Sequence, residues 1–133
     1  WAVVKESGCD NAKLILDSWH WIRANQSYDP SVLADVPADK VVAVQINDVQ
    51  AHPYAAPVLR DESMHDRMMP GTGHGDTAGF VKMIREKGIE PAVMGVEVIS
   101  DEILSAGVAE AAKANFDATR AVLEQAWPEV VEQ

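Results

Sequence analysis

The sequence predicts an α/β protein: three parallel β-strands with helices packed outside them, amounting to about the C-terminal half of an eight-stranded (β/α)8 barrel. Two observations carry that prediction. Three short apolar runs, Leu14-Ile15-Leu16, Val41 to Ile46 and Val93 to Ile99, alternate with stretches of helical character, which is the order that parallel βα units require. Each run also brings one oxygen-bearing side chain, Asp17, Gln45 and Glu97, and strands that deliver one ligand apiece to a common rim are how an α/β barrel assembles a metal centre. A closed barrel takes roughly 250 residues. With 133 residues, the chain is expected to form one partial domain over 1–133 that begins in mid-barrel, a trimmed N-terminus being the alternative.

The elements follow in order. Trp1 to Gly8 reads as the back of a helix closed by a glycine cap. Lys13 to Asp17 is a short buried strand, and Ser18 to about Asn25 is a loop or short helix. Asp29 and Pro30 suit the cap and first position of a brief helix that Val36-Pro37 ends. The valine-rich Lys40 to Asn47 is the second strand. Asp48 to about Gly75 shows no period and is punctuated by Pro53, Pro57, Pro70 and three glycines, so it reads as a long functional loop. Asp76 caps a helix running through Phe80, Val81, Met83 and Ile84 to Gly88. Val93 to Ile99 is the third strand, and an alanine-rich helix covers about Val108 to Ala126.

Composition removes several classes of function. A formal charge of −10 argues against a nucleic-acid partner, which demands clustered Lys and Arg, and against attraction to anionic membranes. No apolar run approaches a membrane span, and no basic-then-apolar leader opens the chain. The single cysteine, Cys9, excludes an intrachain disulfide, so a reducing compartment fits and cytoplasm is the expected location.

Asp17 closes its strand, where a carboxylate can cap the next turn or serve a site. His20 follows by three residues, so both can face the rim, giving a carboxylate for a cation and an imidazole for a substrate oxygen. Gln45 needs partners for both its oxygen and its NH2 group, as a ligand or as a hydrogen-bonded core residue. Glu97, between Val96 and Val98 in an expected buried strand, is costly unless paired, protonated or bound to metal. Trp19 and Trp21 flank His20 and offer apolar faces to a ring-shaped substrate, or pack plainly. His52, His65 and His74 lack metal-ligand spacing and read as surface residues.

Leu14-Ile15-Leu16-Asp17-Ser18-Trp19-His20-Trp21, Val44-Gln45-Ile46-Asn47-Asp48, Arg67-Met68-Met69-Pro70-Gly71-Thr72-Gly73 and Gly95-Val96-Glu97-Val98, in that order, together resemble the sugar phosphate isomerase/epimerase family with the xylose-isomerase-like TIM barrel. The resemblance covers the last three strands and their helices. It implies that Asp17 and Glu97 bind a divalent metal, that His20 touches substrate or the attacking and leaving oxygens, and that Arg67 reaches substrate oxygens. As a lone loop residue, Arg67 would otherwise read as a surface charge. Gln45 stands where many members have histidine, and dehydroshikimate dehydratases are similar to this chain in using glutamine there. Oxygen donors favour Mg2+ or Mn2+ over Co2+ or Zn2+. Thr72 departs from the glutamate common in the family's Pro-Gly turn and puts the anchoring of that loop in doubt.

The expected activity is isomerisation, epimerisation or dehydration of a sugar-like hydroxy-carbonyl compound, with Glu97 as ligand and acid/base. Rival readings are a DNA-repair endonuclease of the same barrel type, disfavoured by charge, and a non-catalytic module. A fourth metal ligand is expected on an earlier strand, since Glu6 lies in a helical pattern. The 133 residues alone are then inactive and poorly stable, needing an N-terminal half or self-association to cover open strand edges.

Overall fold

Leu14–Asp17 (β1), Val41–Ile46 (β2) and Val93–Val96 (β3) pair side by side, all parallel, in the order β1-β2-β3. The coordinates are a computed structural model that describes residues 1–25, 29–51 and 59–131. Helices Ala2–Glu6 (α1), Ser18–Asn25 (α2), Leu59–His65 (α3), Thr77–Glu86 (α4), Asp101–Ser105 (α5) and Val108–Ala126 (α6) connect and flank the strands.

Strand register sorts the side chains. Leu16, Val44 and Met94 are adjacent across the sheet and join a core with Trp21, Phe80, Val81, Ile84, Val122 and Ala126 from the helices. Residues two apart share a face, so Ile15, Ala43 and Val93 form a row on the opposite face. There Ile15 and Val93 are 58% and 60% exposed. Apolar strand residues on both faces therefore have opposite fates: among the described residues, one face is covered by helices and the other is open.

Helix ends follow the sequence signals. Asp76 accepts the Gly79 N–H at 2.9 Å and starts α4. At the other end Gly88 takes φ +71°, its N–H bonds to Arg85 O, and the Ile89 N–H reaches back to Ile84 O. That double closure needs a left-handed residue, which glycine supplies without steric cost. Nothing in 108–126 breaks a helix, and α6 runs that full length.

Three expectations on boundaries need correction. The stretch from Asp48 to Gly75 is not one loop: it contains α3, and Asp48 pairs with Met68 through an antiparallel bridge. The period of α3 is hard to read because its buried residues are Glu62 and Ser63 rather than apolar ones. The brief helix after Asp29 is a 3-10 turn, Pro30–Leu33. The helix expected ahead of β1 is present as the short α1, with Glu6 on it and exposed. The third strand ends at Val96, three residues earlier than expected, so Glu97 lies just past it. His52, Pro53 and Pro57 lie outside the described residues.

Candidate active site at the carboxyl rim of the sheet

Asp17, Gln45 and Gly95 form one row across the three strands, directly above the row of Ile15, Ala43 and Val93. Glu97 follows Gly95 by two residues, and its N–H still bonds to Ile46 O at 3.2 Å. The register thus places Asp17 and Gln45 on the same face at the carboxyl end, with Glu97 one step above.

Arg67 ties this rim together. It is 4% exposed, which corrects its reading as a surface charge. Its Nη1 donates to Asp17 Oδ2 at 3.0 Å and to Glu97 Oε2 at 2.7 Å. Nε donates to Ser63 O and Nη2 to Ser63 Oγ, both at 2.9 Å. Nη2 also lies 3.5 Å from His20 Nε2. The guanidinium carbon sits 5.3 Å from the centroid of Trp19, a cation–π arrangement.

Trp19 is accordingly a platform beneath Arg67. It is 4% exposed, so the expectation that it offers its face to substrate is corrected: Arg67 lies over the ring, and the indole N–H donates to Glu62 Oε1 at 3.1 Å. Glu62, fully buried, also accepts from Nε and Nη2 of Arg23, which reaches on to Gln50 O. A carboxylate buried at this depth requires such a partner. Glu62 was missed in the sequence because nothing in an Arg-Asp-Glu-Ser stretch distinguishes a buried acid from a solvated one.

Asp17 is the second hub. Oδ1 accepts the His20 N–H at 2.9 Å, and Oδ2 accepts from Asn47 Nδ2 at 3.0 Å as well as from Arg67. Asn47 is held by Ser18, whose hydroxyl donates to Asn47 O at 2.7 Å and accepts the Asn47 N–H at 2.9 Å. Asp17 therefore caps the first turn of α2 and faces the site at once.

The turn at 70–75 is anchored despite Thr72. Asp48, 1% exposed, accepts the Gly75 N–H through Oδ1 at 2.8 Å and the Gly73 N–H through Oδ2 at 3.0 Å. A Cβ on Gly73 would stand 2.5 Å from Val49 O and 2.6 Å from Asp48 Oδ1, so only glycine permits this approach. Asn47 and Asp48 follow a strand directly, a sequence signal beside their place in the family-like run Val44 to Asp48. His65 and His74 are exposed, and His65 pairs with Asp101. His20 is exposed at the rim.

The donor set suits a hard divalent cation. Glu97 Oε1 accepts no hydrogen bond, and the amide of half-buried Gln45 has no hydrogen-bond partner, among the described residues. Two carboxylates already converge on one positive group. Among the described residues no three His, Cys, Asp or Glu side chains gather as a metal group; the set is two carboxylates and an amide, all oxygen donors.

Parallel strands with helices on one face and polar groups gathered at the carboxyl rim define a segment of an α/β barrel with its site where such barrels carry theirs. The family described as xylose isomerase-like TIM barrel matches residues 1–125, and the chain belongs to it. Curated relatives named 3-dehydroshikimate dehydratase, from Pseudomonas putida and Pseudomonas aeruginosa, are 33% and 34% identical over 101 residues. These matches cover 76% of this chain but 15% of each relative, so the chain spans a small part of their length. A crystal structure of the IOLI protein with a bound zinc atom superposes with a TM-score of 0.79 at 23% identity, covering 96% of this chain and 43% of that one. L-ribulose 3-epimerase gives a TM-score of 0.57 at 22% identity, covering 97% and 42%. At such identities the structures establish the fold alone: the chain is a barrel segment with three parallel strands and their surrounding helices. No helix among the described residues is long and apolar enough to cross a membrane.

Proposed function

We propose that this chain supplies part of the active site of a divalent-metal-dependent enzyme that removes a proton next to a carbonyl, with dehydration of a 3-dehydroshikimate-type hydroxy-ketone as the leading reaction. Isomerisation or epimerisation of a sugar or sugar phosphate begins with the same proton transfer. The observation that carries this reading is the convergence of Asp17 and Glu97 on a single guanidinium nitrogen at the carboxyl rim, with Gln45 in register beside Asp17. The names of the two curated relatives favour dehydration over its alternatives.

Asp17, Gln45 and Glu97 would hold the cation, Mg2+ or Mn2+ before Co2+ or Zn2+. Bound there, the cation would attract the substrate's neighbouring oxygens and stabilise negative charge as the α-proton leaves. Glu97 would move that proton, a role its partly exposed side chain supports. His20 stands at the rim, able to meet a substrate oxygen through its imidazole, and Arg67 presents N–H donors beside it. Strands pairing with the free edges of β1 and β3 would complete the barrel, one of them bringing a further ligand.

The test is Glu97→Gln in the intact protein, assayed with Mn2+ against 3-dehydroshikimate and a panel of ketoses. Turnover should fall at least a thousandfold, of the order expected when a general acid–base residue and a charged ligand are lost together. Turnover within tenfold of the unaltered protein would refute the role of Glu97.

A further inference from the structure

We propose that Arg67 is a built-in counter-cation: its guanidinium competes with a divalent cation for the facing oxygens of Asp17 and Glu97, and thereby sets how tightly the site takes up metal. The inference rests on the metal-dependent reading above and adds to it a residue that opposes binding.

Two observations support it. First, one nitrogen, Nη1, serves both carboxylates, at 3.0 Å and 2.7 Å. A cation held by those carboxylates would have to displace Nη1 from them. Asp17 Oδ2 already accepts from Asn47 as well, so both of its lone pairs are committed while Arg67 stays. Second, the guanidinium is held from behind. Ser63 takes bonds from Nε and Nη2, and Trp19 lies under the plane, itself fixed by the buried Glu62. Withdrawal therefore breaks bonds with known partners.

Bonds from Arg67 to the carboxylates and a cation's bonds to the same oxygens are thus alternatives. Metal uptake would release Nη1 from the two acids, leaving its N–H groups free beside His20 at the rim.

The experiment measures Mn2+ binding by calorimetry on chelator-treated intact protein, comparing the unaltered chain with Arg67→Met, Arg67→Lys, Ser63→Ala and Asp17→Asn. Arg67→Met should bind Mn2+ at least about tenfold tighter, since hydrogen bonds between charged groups no longer have to be exchanged. Arg67→Lys keeps a positive charge but loses the planar fork that holds both carboxylates and Ser63, so its Mn2+ affinity should fall between those of the unaltered protein and Arg67→Met. Ser63→Ala, which loosens the anchor and spares the guanidinium, should tighten binding about two- to fivefold and serves if Arg67→Met does not fold. In chelator the Arg67→Met protein should unfold at a lower temperature, and Mn2+ should raise its midpoint by more than it raises that of the unaltered protein.

Binding by Arg67→Met that is unchanged or weaker, while Asp17→Asn loses binding, overturns the competition and leaves the metal site standing. No saturable Mn2+ uptake by any of these proteins overturns the metal reading, and the role of Arg67 with it.

Discussion

Replacing Asp48 by alanine should release the 70–75 turn from the end of β2. The carboxylate accepts three backbone N–H groups: Val49 at 2.8 Å, Gly75 at 2.8 Å and Gly73 at 3.0 Å. Each hydrogen bond to a charged acceptor contributes about 1.5–3 kcal/mol, so three give an upper bound of several kcal/mol. The loss will be smaller, because Gly71 and Thr72 at the tip are exposed and water can reach the opened turn. The bond from the His74 N–H to Val49 O at 3.0 Å also remains. A net cost of about 3 kcal/mol for Asp48→Ala is expected, and about half that for Asp48→Asn, which keeps one acceptor oxygen. Urea unfolding of the intact protein reads the total, and amide exchange at Gly73 and Gly75 reads the local opening. A loss under about 1 kcal/mol, with both glycine amides as protected as before, would show that some other group anchors the turn.

Further predictions follow from the core and the polar network. Glu62→Ala should cost about 3–5 kcal/mol, because it strands Arg23 in a buried site; a double-mutant cycle with Arg23→Ala should show strong coupling, and additive losses would contradict the pair. Phe80 is fully buried against Trp21, with ring centroids 6.2 Å apart, so Phe80→Ala should cost about 3–5 kcal/mol in denaturant unfolding. A cost below 1.5 kcal/mol, well short of the range for such truncations, would mean that the helix layer repacks freely. The Asp29 carboxyl is held below its ordinary value by the backbone bond from Ser31 and then by the Ser31 hydroxyl. A depressed folded pKa means that the cap contributes above the unfolded value and is lost as pH falls through the lower, folded one. The Ser31 amide resonance should therefore titrate below pH 3.8, the group's ordinary value; a midpoint at or above it would contradict the cap.

Local signals and tertiary placement contributed differently to the site. Asp17, Gln45 and Glu97 stand out in the sequence because a polar group in an apolar run is conspicuous, and register brings Asp17 and Gln45 side by side. Arg67 was legible only through resemblance to a family motif; its burial beneath two acids depends on residues fifty and thirty positions away. Trp19 has the same local pattern whether it faces substrate or supports an arginine. Glu62 carries no local mark, since its partners Trp19 and Arg23 lie about forty residues upstream.

The sequence by itself determined that there are three parallel strands, an alanine-rich helix, caps at Asp76 and Gly88 and polar positions on or just past those strands. All of these follow from short-range periodicity, backbone stereochemistry and the cost of burying a polar group. Only the tertiary structure decided which polar groups meet. It put one guanidinium on both Asp17 and Glu97, seated that guanidinium on Trp19, and gave Asp48 the turn that Thr72 does not hold. Such pairings are set by strand register and helix packing over long separations, and no local pattern of residues encodes them.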